Sequence, residues 1–276
     1  VSAEANRNPD GRVDAGRVVG RDVELITSDD VRLHARQWDA TGTPRATVVV
    51  VHGFAANLDE VKLVALIDAL GAAGFDGIAY DARGHGRSGG EATLGDRERF
   101  DVAAAVAAIG ATKRPVVLVG ASMGAIAALR FAASSPGSVA GVVSVSCPAW
   151  WRLPLNARGV LSTLLTQTPF GRELARRLMG VRIARPEPRP VPPIDLVGEL
   201  GVPVAIVHGR ADPFISVAAA EALFATAHEP RRLELVEGFG HAFEPEATPA
   251  ILGALSWCLE PTRTSPTPGP AAGSAA

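Results

Sequence analysis

Two strand-like runs open the patterned part of the chain, Val18–Thr27 and Val31–Trp38, with Ser28-Asp29-Asp30 between them. Short polar side chains of this kind bond their own backbone and favour tight turns, so the pattern predicts an antiparallel hairpin. Beyond Trp38 the rhythm changes. Ala46–Val51, Gly77–Tyr80, Val116–Val119 and Val139–Ser146 are apolar with little polar alternation, as strands of a parallel sheet buried on both faces require. Helical stretches lie between them at Leu58–Ala73, Arg97–Ile109 and Met123–Ala133. In the first, Val61, Val64, Ile67 and Leu70 recur every third residue, which suits a helix laid on a sheet, and Gly71 and Gly74 supply its stop. Strands alternating with helices predict a mostly parallel, doubly wound α/β sheet with right-handed crossovers.

Pro148–Leu200 interrupts this alternation. It holds the paired Trp150 and Trp151, helical stretches around Val160–Thr166 and Arg172–Met179, and then six prolines between Pro186 and Pro203. It reads as an insertion beside the sheet. The alternation resumes with Val202–Val207, Val217–Ala225, Leu233–Val236 and Thr248–Leu259. The expected division is therefore a core over 17–147 and 201–260, with a helical insertion over 148–200. Residues 1–16 and the Pro/Ser/Thr/Gly/Ala tail 261–276 lack periodicity and a means to bury apolar surface, so both are expected to be disordered. No repeat of fixed period is present.

Composition narrows the function classes. Of 276 residues, 47% are apolar and 20% charged, and the net charge is −2. Such a near-neutral chain has no general attraction for nucleic acid or an acidic bilayer. Lys62 and Lys113 are the only lysines among the basic residues; with so much alanine, the arginine preference reads as a GC-rich coding bias. Cys147 and Cys258 are too few for a disulfide framework and are expected to be buried thiols. There is no Cys/His spacing of the zinc type, no apolar run approaching a membrane span and no signal-peptide core at the start. The expectation is a cytoplasmic protein that needs no metal or organic cofactor.

The chemistry concentrates at strand ends. Pro115–Val119 runs into Gly120-Ala121-Ser122-Met123-Gly124 and straight on into an alanine-rich helix. This is G-x-S-x-G in the strand–turn–helix context that gives the motif meaning. The chain must reverse sharply there, holding the Ser122 hydroxyl exposed, and side chains at 120 and 124 would meet neighbouring backbone. The Met123 N–H then sits at a helix start, placed to donate to an oxyanion. Without that context, the same letters describe a glycine turn packing a helix on a strand.

A serine hydroxyl needs a base. Of six histidines, His34 lies in the hairpin, His52 and His208 precede glycines at strand ends as turn anchors do, and His228 has no evident acid partner. His241, in Glu237-Gly238-Phe239-Gly240-His241, follows the last strand on a glycine-bearing loop. Asp212, in His208-Gly209-Arg210-Ala211-Asp212-Pro213, follows the strand before it. The order Ser122, Asp212, His241 is the one this kind of sheet uses. The plainer readings are a helix cap near Val217 for Asp212 and a loop histidine for His241. A second oxyanion donor is expected from the Phe54 N–H, in Val51-His52-Gly53-Phe54, unless that segment is a simple glycine turn.

Together these residues resemble the α/β-hydrolase superfamily over roughly Arg17–Glu260. A further match is Tyr80-Asp81-Ala82-Arg83-Gly84-His85-Gly86-Arg87-Ser88-Gly89, which looks like the D-x-R-G-x-G-x-S loop after the fourth strand of many members. That loop implies a structural role for Asp81 and Arg83 and no catalytic role for His85. The continuation through Thr93-Leu94-Gly95 to Asp101-Val102 looks like the lysophospholipase-like, serine-aminopeptidase-like branch. Serine at the elbow sets the chain apart from dehalogenases and epoxide hydrolases, which carry aspartate there.

The resemblance implies a small helical cap after the sixth strand and an acyl-enzyme on Ser122. A small-molecule acyl substrate follows, with carboxylester hydrolysis leading. Thioester, peptide and C–C bond hydrolysis and cofactor-free perhydrolysis use the same residues, and a slow or non-catalytic ligand-binding module is the alternative of a different class. No nucleic-acid partner and no stable membrane insertion are expected. Between Ala149 and Pro190 eight arginines face two acids, which suits either anionic or CoA-linked acyl substrates or a solvated helical face. Trp150 and Trp151 either line an acyl pocket, as substrate-binding residues, or plug the insertion's own core.

Overall fold

The computed structural model describes residues 18, 20–110, 114–151, 157–185 and 190–260; the segments 1–16 and 261–276, expected to be disordered, lie outside the described residues. Strands β1 (Gly20–Ile26) and β2 (Arg32–Trp38) form the antiparallel hairpin, with Gly20 opposite Trp38 and Ile26 opposite Arg32. In its turn the Thr27 N–H donates to the Val31 carbonyl at 3.0 Å and Asp30 takes a φ of 62°, a left-handed value that aspartate tolerates better than most residues. Next come β3 (Ala46–Val51), β4 (Phe75–Tyr80), β5 (Val116–Ala121), β6 (Gly141–Val145), β7 (Val204–Gly209) and β8 (Arg231–Val236). The eight strands make one sheet in the order β1-β2-β4-β3-β5-β6-β7-β8. Pairing is antiparallel from β1 through β2 to β4 and parallel from there on.

Side chains alternate across this sheet. In β3, Val49 and Val51 enter one layer while Val48 and Val50 enter the other, and all four are fully buried. Helices α1 (Val61–Ala72) and α8 (Thr248–Cys258) cover the Val48/Val50 face. Helices α2 (Glu98–Ile109), α3 (Met123–Ser134) and α7 (Val217–Thr226) cover the opposite face. This is the mostly parallel doubly wound sheet that the pattern predicts. Cys147 and Cys258 are both buried free thiols.

Between β6 and β7 lie α4 (Ala157–Gln167), α5 (Pro169–Met179) and α6 (Pro193–Val197), a small helical cap in the expected place. Within the proline-rich stretch, α6 starts at Pro193, where proline lacks only an N–H that would go unused. The cap returns along Val181–Ala184. There the Ala92 N–H donates to the Arg182 carbonyl at 2.7 Å and the Ala184 N–H to the Ala92 carbonyl at 2.9 Å. One boundary also shifts. α1 begins at Val61 rather than Leu58, because the Leu58 N–H is taken by Asp81 Oδ1 at 2.7 Å and its side chain is buried ahead of the helix.

The loop after β4 latches the fold. Arg83 is almost fully buried and donates from Nε to Asp101 Oδ1 at 2.9 Å and from its two terminal nitrogens to Asp29 at 2.7 and 2.9 Å. One guanidinium thereby joins the hairpin turn, this loop and α2. Arg83 also holds the Asp29 carboxyl down at about 2. Two buried histidines sit beside it. His52 Nε2 accepts the Ala82 N–H at 2.9 Å, which places the ring proton on Nδ1 for donation to the Gly53 carbonyl at 2.7 Å. His85 Nε2 accepts the Ala55 N–H at 3.2 Å. Burial keeps both rings neutral, pushing His52 down to about 3.

Two measurements test this latch. Asp101→Ala leaves the buried Arg83 charge short of a partner and should destabilise the fold by about 3–5 kcal/mol in urea unfolding, the cost of breaking a buried pair; a loss near zero would show that the pair carries no load. The histidines set an acid dependence. The unfolded chain binds a proton at His52 near 6.5, whereas the folded chain does so only at about 3. Stability from this ring is therefore complete above pH 6.5 and declines as pH falls towards 3, by about 1.4 kcal/mol per pH unit. A His52→Asn variant should show a slope shallower by one proton in urea melts between pH 6.5 and 4.5.

Candidate active site

The chain enters the site from β5. Ser122 has φ 52° and ψ −113°, a backbone conformation that side-chain-bearing residues rarely adopt and that the surroundings must enforce. Its N–H donates to the Val145 carbonyl at 2.9 Å, and its own carbonyl accepts from Ala125 and Ile126, starting α3. The glycines around it are sterically required. A Cβ at Gly124 would strike the carbonyl oxygens of Val51 and His52, and one at Gly120 would strike the Gly124 carbonyl. The end of β3 and the start of α3 thus lie backbone to backbone. A Cβ at Gly53 would come within 3.4 Å of Ser122 Cβ, so the β3 loop and the elbow adjoin.

That contact sets the backbone donors. The N–H groups of Phe54 and Met123 have no hydrogen-bond acceptor among the described residues. Met123 is buried at the first position of α3, where helix N–H groups lack intrahelical partners and carry partial positive charge. The Gly53 carbonyl, bonded by His52, belongs to the same peptide plane as the Phe54 N–H, and a trans peptide points the two in opposite directions. His52 therefore fixes the direction of the Phe54 donor from behind.

The structure joins Asp212 and His241. His241 Nδ1 lies 2.7 Å from Asp212 Oδ2. The other carboxylate oxygen, Oδ1, accepts the Phe214 and Ile215 N–H groups at 2.8 and 2.9 Å. Asp212 thus aims its carboxylate through a turn of its own; the N-cap position of α7 is Ser216, whose side chain makes no capping bond. The Asp212 side chain is fully buried. Burial opposes its charge, but the His241 bond and the two backbone bonds win, leaving its carboxyl below the usual range. With the Nδ1 proton committed to an ionised acid, His241 Nε2 keeps its lone pair. The imidazole is one-fifth exposed, and the Phe214 ring lies 5.0 Å away. Ser122 Oγ makes no hydrogen bond among the described residues, to His241 or to any other.

Several supports were not visible in the sequence reading. Glu244 Oε2 accepts the Gly240 N–H at 2.8 Å, and Ser146 Oγ accepts the Ala242 N–H at 3.3 Å. These bonds flank His241, and Ala242 and Ser146 both have positive φ, at 61° and 48°. His208 is fully buried and faces the Ile215 carbonyl at 3.1 Å, bracing the Asp212 turn. Lys62, in the first turn of α1, pairs with Glu244 at 3.5 Å. Only the Glu244 contact is close enough in sequence for local spacing to have suggested it.

A cleft of about 210 Å³ opens beside His241, with Gly53, Phe54, Leu63, Phe214 and Phe243 among its walls. Neither tryptophan lines it. Trp151 donates from Nε1 to the Pro190 carbonyl at 2.6 Å and packs on the sheet's core, while Trp150 faces outward. Of the cap's described arginines, Arg176 and Arg177 share Glu173, and Arg182 bonds the Ser88 and Gly90 carbonyls.

Comparison with known proteins follows the same lines. The family model described as Hydrolase_4: Serine aminopeptidase, S33 matches residues 42–181, half of the chain. The chain is 28% identical over 208 residues to the Bacillus subtilis protein YqkD, covering 71% of this chain but only 65% of that one. It is 27% identical to a monoacylglycerol lipase of Mycolicibacterium smegmatis, covering 83% of this chain and 93% of the relative. Its fold superposes on the Pyrococcus furiosus esterase Pf2001 with a TM-score of 0.67 at 20% identity, over 88% of this chain and 93% of that one. The matched half runs from ahead of β3 through the elbow to just past α5, and on that match the chain belongs to the serine aminopeptidase S33 family of α/β hydrolases.

Proposed function

We propose that the chain is a serine hydrolase that cleaves a carboxylic ester through an acyl-enzyme on Ser122. One observation carries this reading: the buried, ionised Asp212 carboxylate lies 2.7 Å from His241 Nδ1, which leaves Nε2 its lone pair. Gly53 supports bringing the serine to it, since Gly53 lines the cleft with His241 and a Cβ there would come within 3.4 Å of Ser122 Cβ. Hydrogen bonds of this kind often close only when substrate is bound. Relatives named monoacylglycerol lipase and esterase support an ester as substrate.

The steps follow from the groups in place. His241 Nε2 takes the Ser122 proton as the hydroxyl attacks the ester carbonyl. Charge develops on the carbonyl oxygen, and the unpaired N–H groups of Met123 and Phe54 stabilise it without reorganisation. Asp212 keeps the imidazole in the right tautomer and stabilises its cation. The imidazolium then protonates the leaving alcohol, and water repeats the sequence to release the acid. Aromatic walls at Phe54, Phe214 and Phe243 exclude water from one side.

Ser122→Ala should lower kcat on p-nitrophenyl acetate by roughly 10³-fold or more and abolish fluorophosphonate labelling; full turnover in this variant would refute the assignment. The pH profile gives a second test. Because Asp212 stays ionised below the usual carboxylate range, it should add no proton of its own to any acid-side loss of activity. The slope of log kcat/KM against pH should therefore stay below two between pH 7 and 4.5. A slope of two in that window would mean that Asp212 takes up a proton too.

A further inference from the structure

The cleft beside His241 holds a charge that the proposed hydrolysis does not use. Its ionisable rim comprises Glu60, Lys62 and Glu244. Lys62 and Glu244 pair at 3.5 Å, and Glu244 is further engaged with the Gly240 N–H. Glu60 is different. Its side chain is half-buried and makes no hydrogen bond or ion pair among the described residues. It immediately precedes α1 but makes no capping bond there. The nearby guanidiniums do not serve it: Arg36 and Arg87 are engaged by Asp22 and Asp59.

The rest of the cleft does not offset this charge. His52, deeper in the wall, is neutral, with burial holding it down at about 3. Asp212, behind His241, is a further negative charge. The remaining walls include the rings of Phe54, Phe214 and Phe243, whose faces attract cations. A carboxylate without a protein partner, in a cleft of about 210 Å³ that aromatic side chains help to line, is a setting for a small cation.

We propose that Glu60 is a specificity-determining residue, selecting esters whose group in this cleft carries an alkylammonium charge. The proposal rests on the hydrolytic reading for its catalytic part. It is the opposite of what the arginines of the cap suggest, namely a preference for anionic acyl substrates, and the two readings give opposite rank orders.

The test compares acetylcholine with its uncharged carbon isostere, 3,3-dimethylbutyl acetate. Wild-type protein should favour the cation in kcat/KM by about 3- to 10-fold at low salt, the scale of one partly exposed charge with aromatic support. The ratio should shrink as salt rises and approach one in Glu60→Gln. A ratio of one in the wild type, a preference for the neutral ester, or a ratio unchanged in Glu60→Gln would overturn the proposal. Choline binding, followed by NMR on the Ser122→Ala protein with and without Glu60→Gln, separates the two readings. Choline shifts at Phe54 and Phe214 that vanish with Glu60→Gln support the cleft even if no ester turns over, and their absence in the Glu60-bearing protein rejects it even if esters do.

Discussion

The site depends on one close approach, that of the end of β3 to the first turn of α3. It is possible because residue 124 has no side chain to meet the Val51 and His52 carbonyls. With the two backbones in contact, the free N–H of Met123 belongs to the same small region as the β3 loop with its free Phe54 N–H. The same approach forces Ser122 into its left-handed conformation, since the chain must leave β5 and enter a helix without drifting away from β3. Strain at the serine and the placement of the donors are two results of one packing constraint. A larger residue at 124 would relieve the first only by losing the second.

A second layer of structure holds that region still. The β3 loop has no regular backbone pairing of its own, so its peptide groups take partners from the loop after β4. His52 and His85 both receive N–H groups with Nε2 and present Nδ1 to carbonyls. A histidine can do this only while neutral, and burial guarantees that. Arg83 and Asp81 in turn fix the β4 loop against the hairpin turn, α2 and the segment ahead of α1. The D-x-R-G-x-G-x-S residues are thus remote from the chemistry and yet determine where the Phe54 donor points.

What the sequence disclosed, and what it did not, divides by range. Apolar runs revealed the strands because a sheet covered on both faces leaves no polar positions. The elbow was legible because strand, glycines and helix are contiguous. The pairing of Asp212 with His241 was legible from their place after adjacent strands, since parallel strands deliver their following loops to one edge. The supports of the His241 loop were hidden for the same reason in reverse: Ser146 meets Ala242 across 96 residues, and nothing local to a serine at a strand end announces that partner. The tryptophan pair shows a related limit. Both residues have the same neighbours in sequence, yet Trp151 turns to the core while Trp150 faces outward, a choice made by the return of the chain at Pro190. Leu58 misled in a simpler way: its apolar side chain is buried like a helical residue's, while its N–H serves Asp81.

Charge is distributed unevenly around the cleft, and the unevenness follows from the segments around it. The cap contributes arginines, but those at 176 and 177 are spent on Glu173, and Arg182 is spent on backbone carbonyls of the β4 loop. The Val181–Ala184 return is stitched to Ala92 and Gly84, so the end of the cap nearest the Phe54 loop is bound to the same structure that orients that loop. Arg182 is thereby committed to holding the cap in place, and Arg176 and Arg177 to a pairing within α5. The loops after β3, β7 and β8, by contrast, bring carboxylates: Asp212 and Glu244 hold His241 and its loop, and each has a partner. Glu60 alone has a charge without a structural task. In a cleft whose every other ionisable group is paired or neutral, a cation in the adjoining space would find in it a carboxylate that no other group claims.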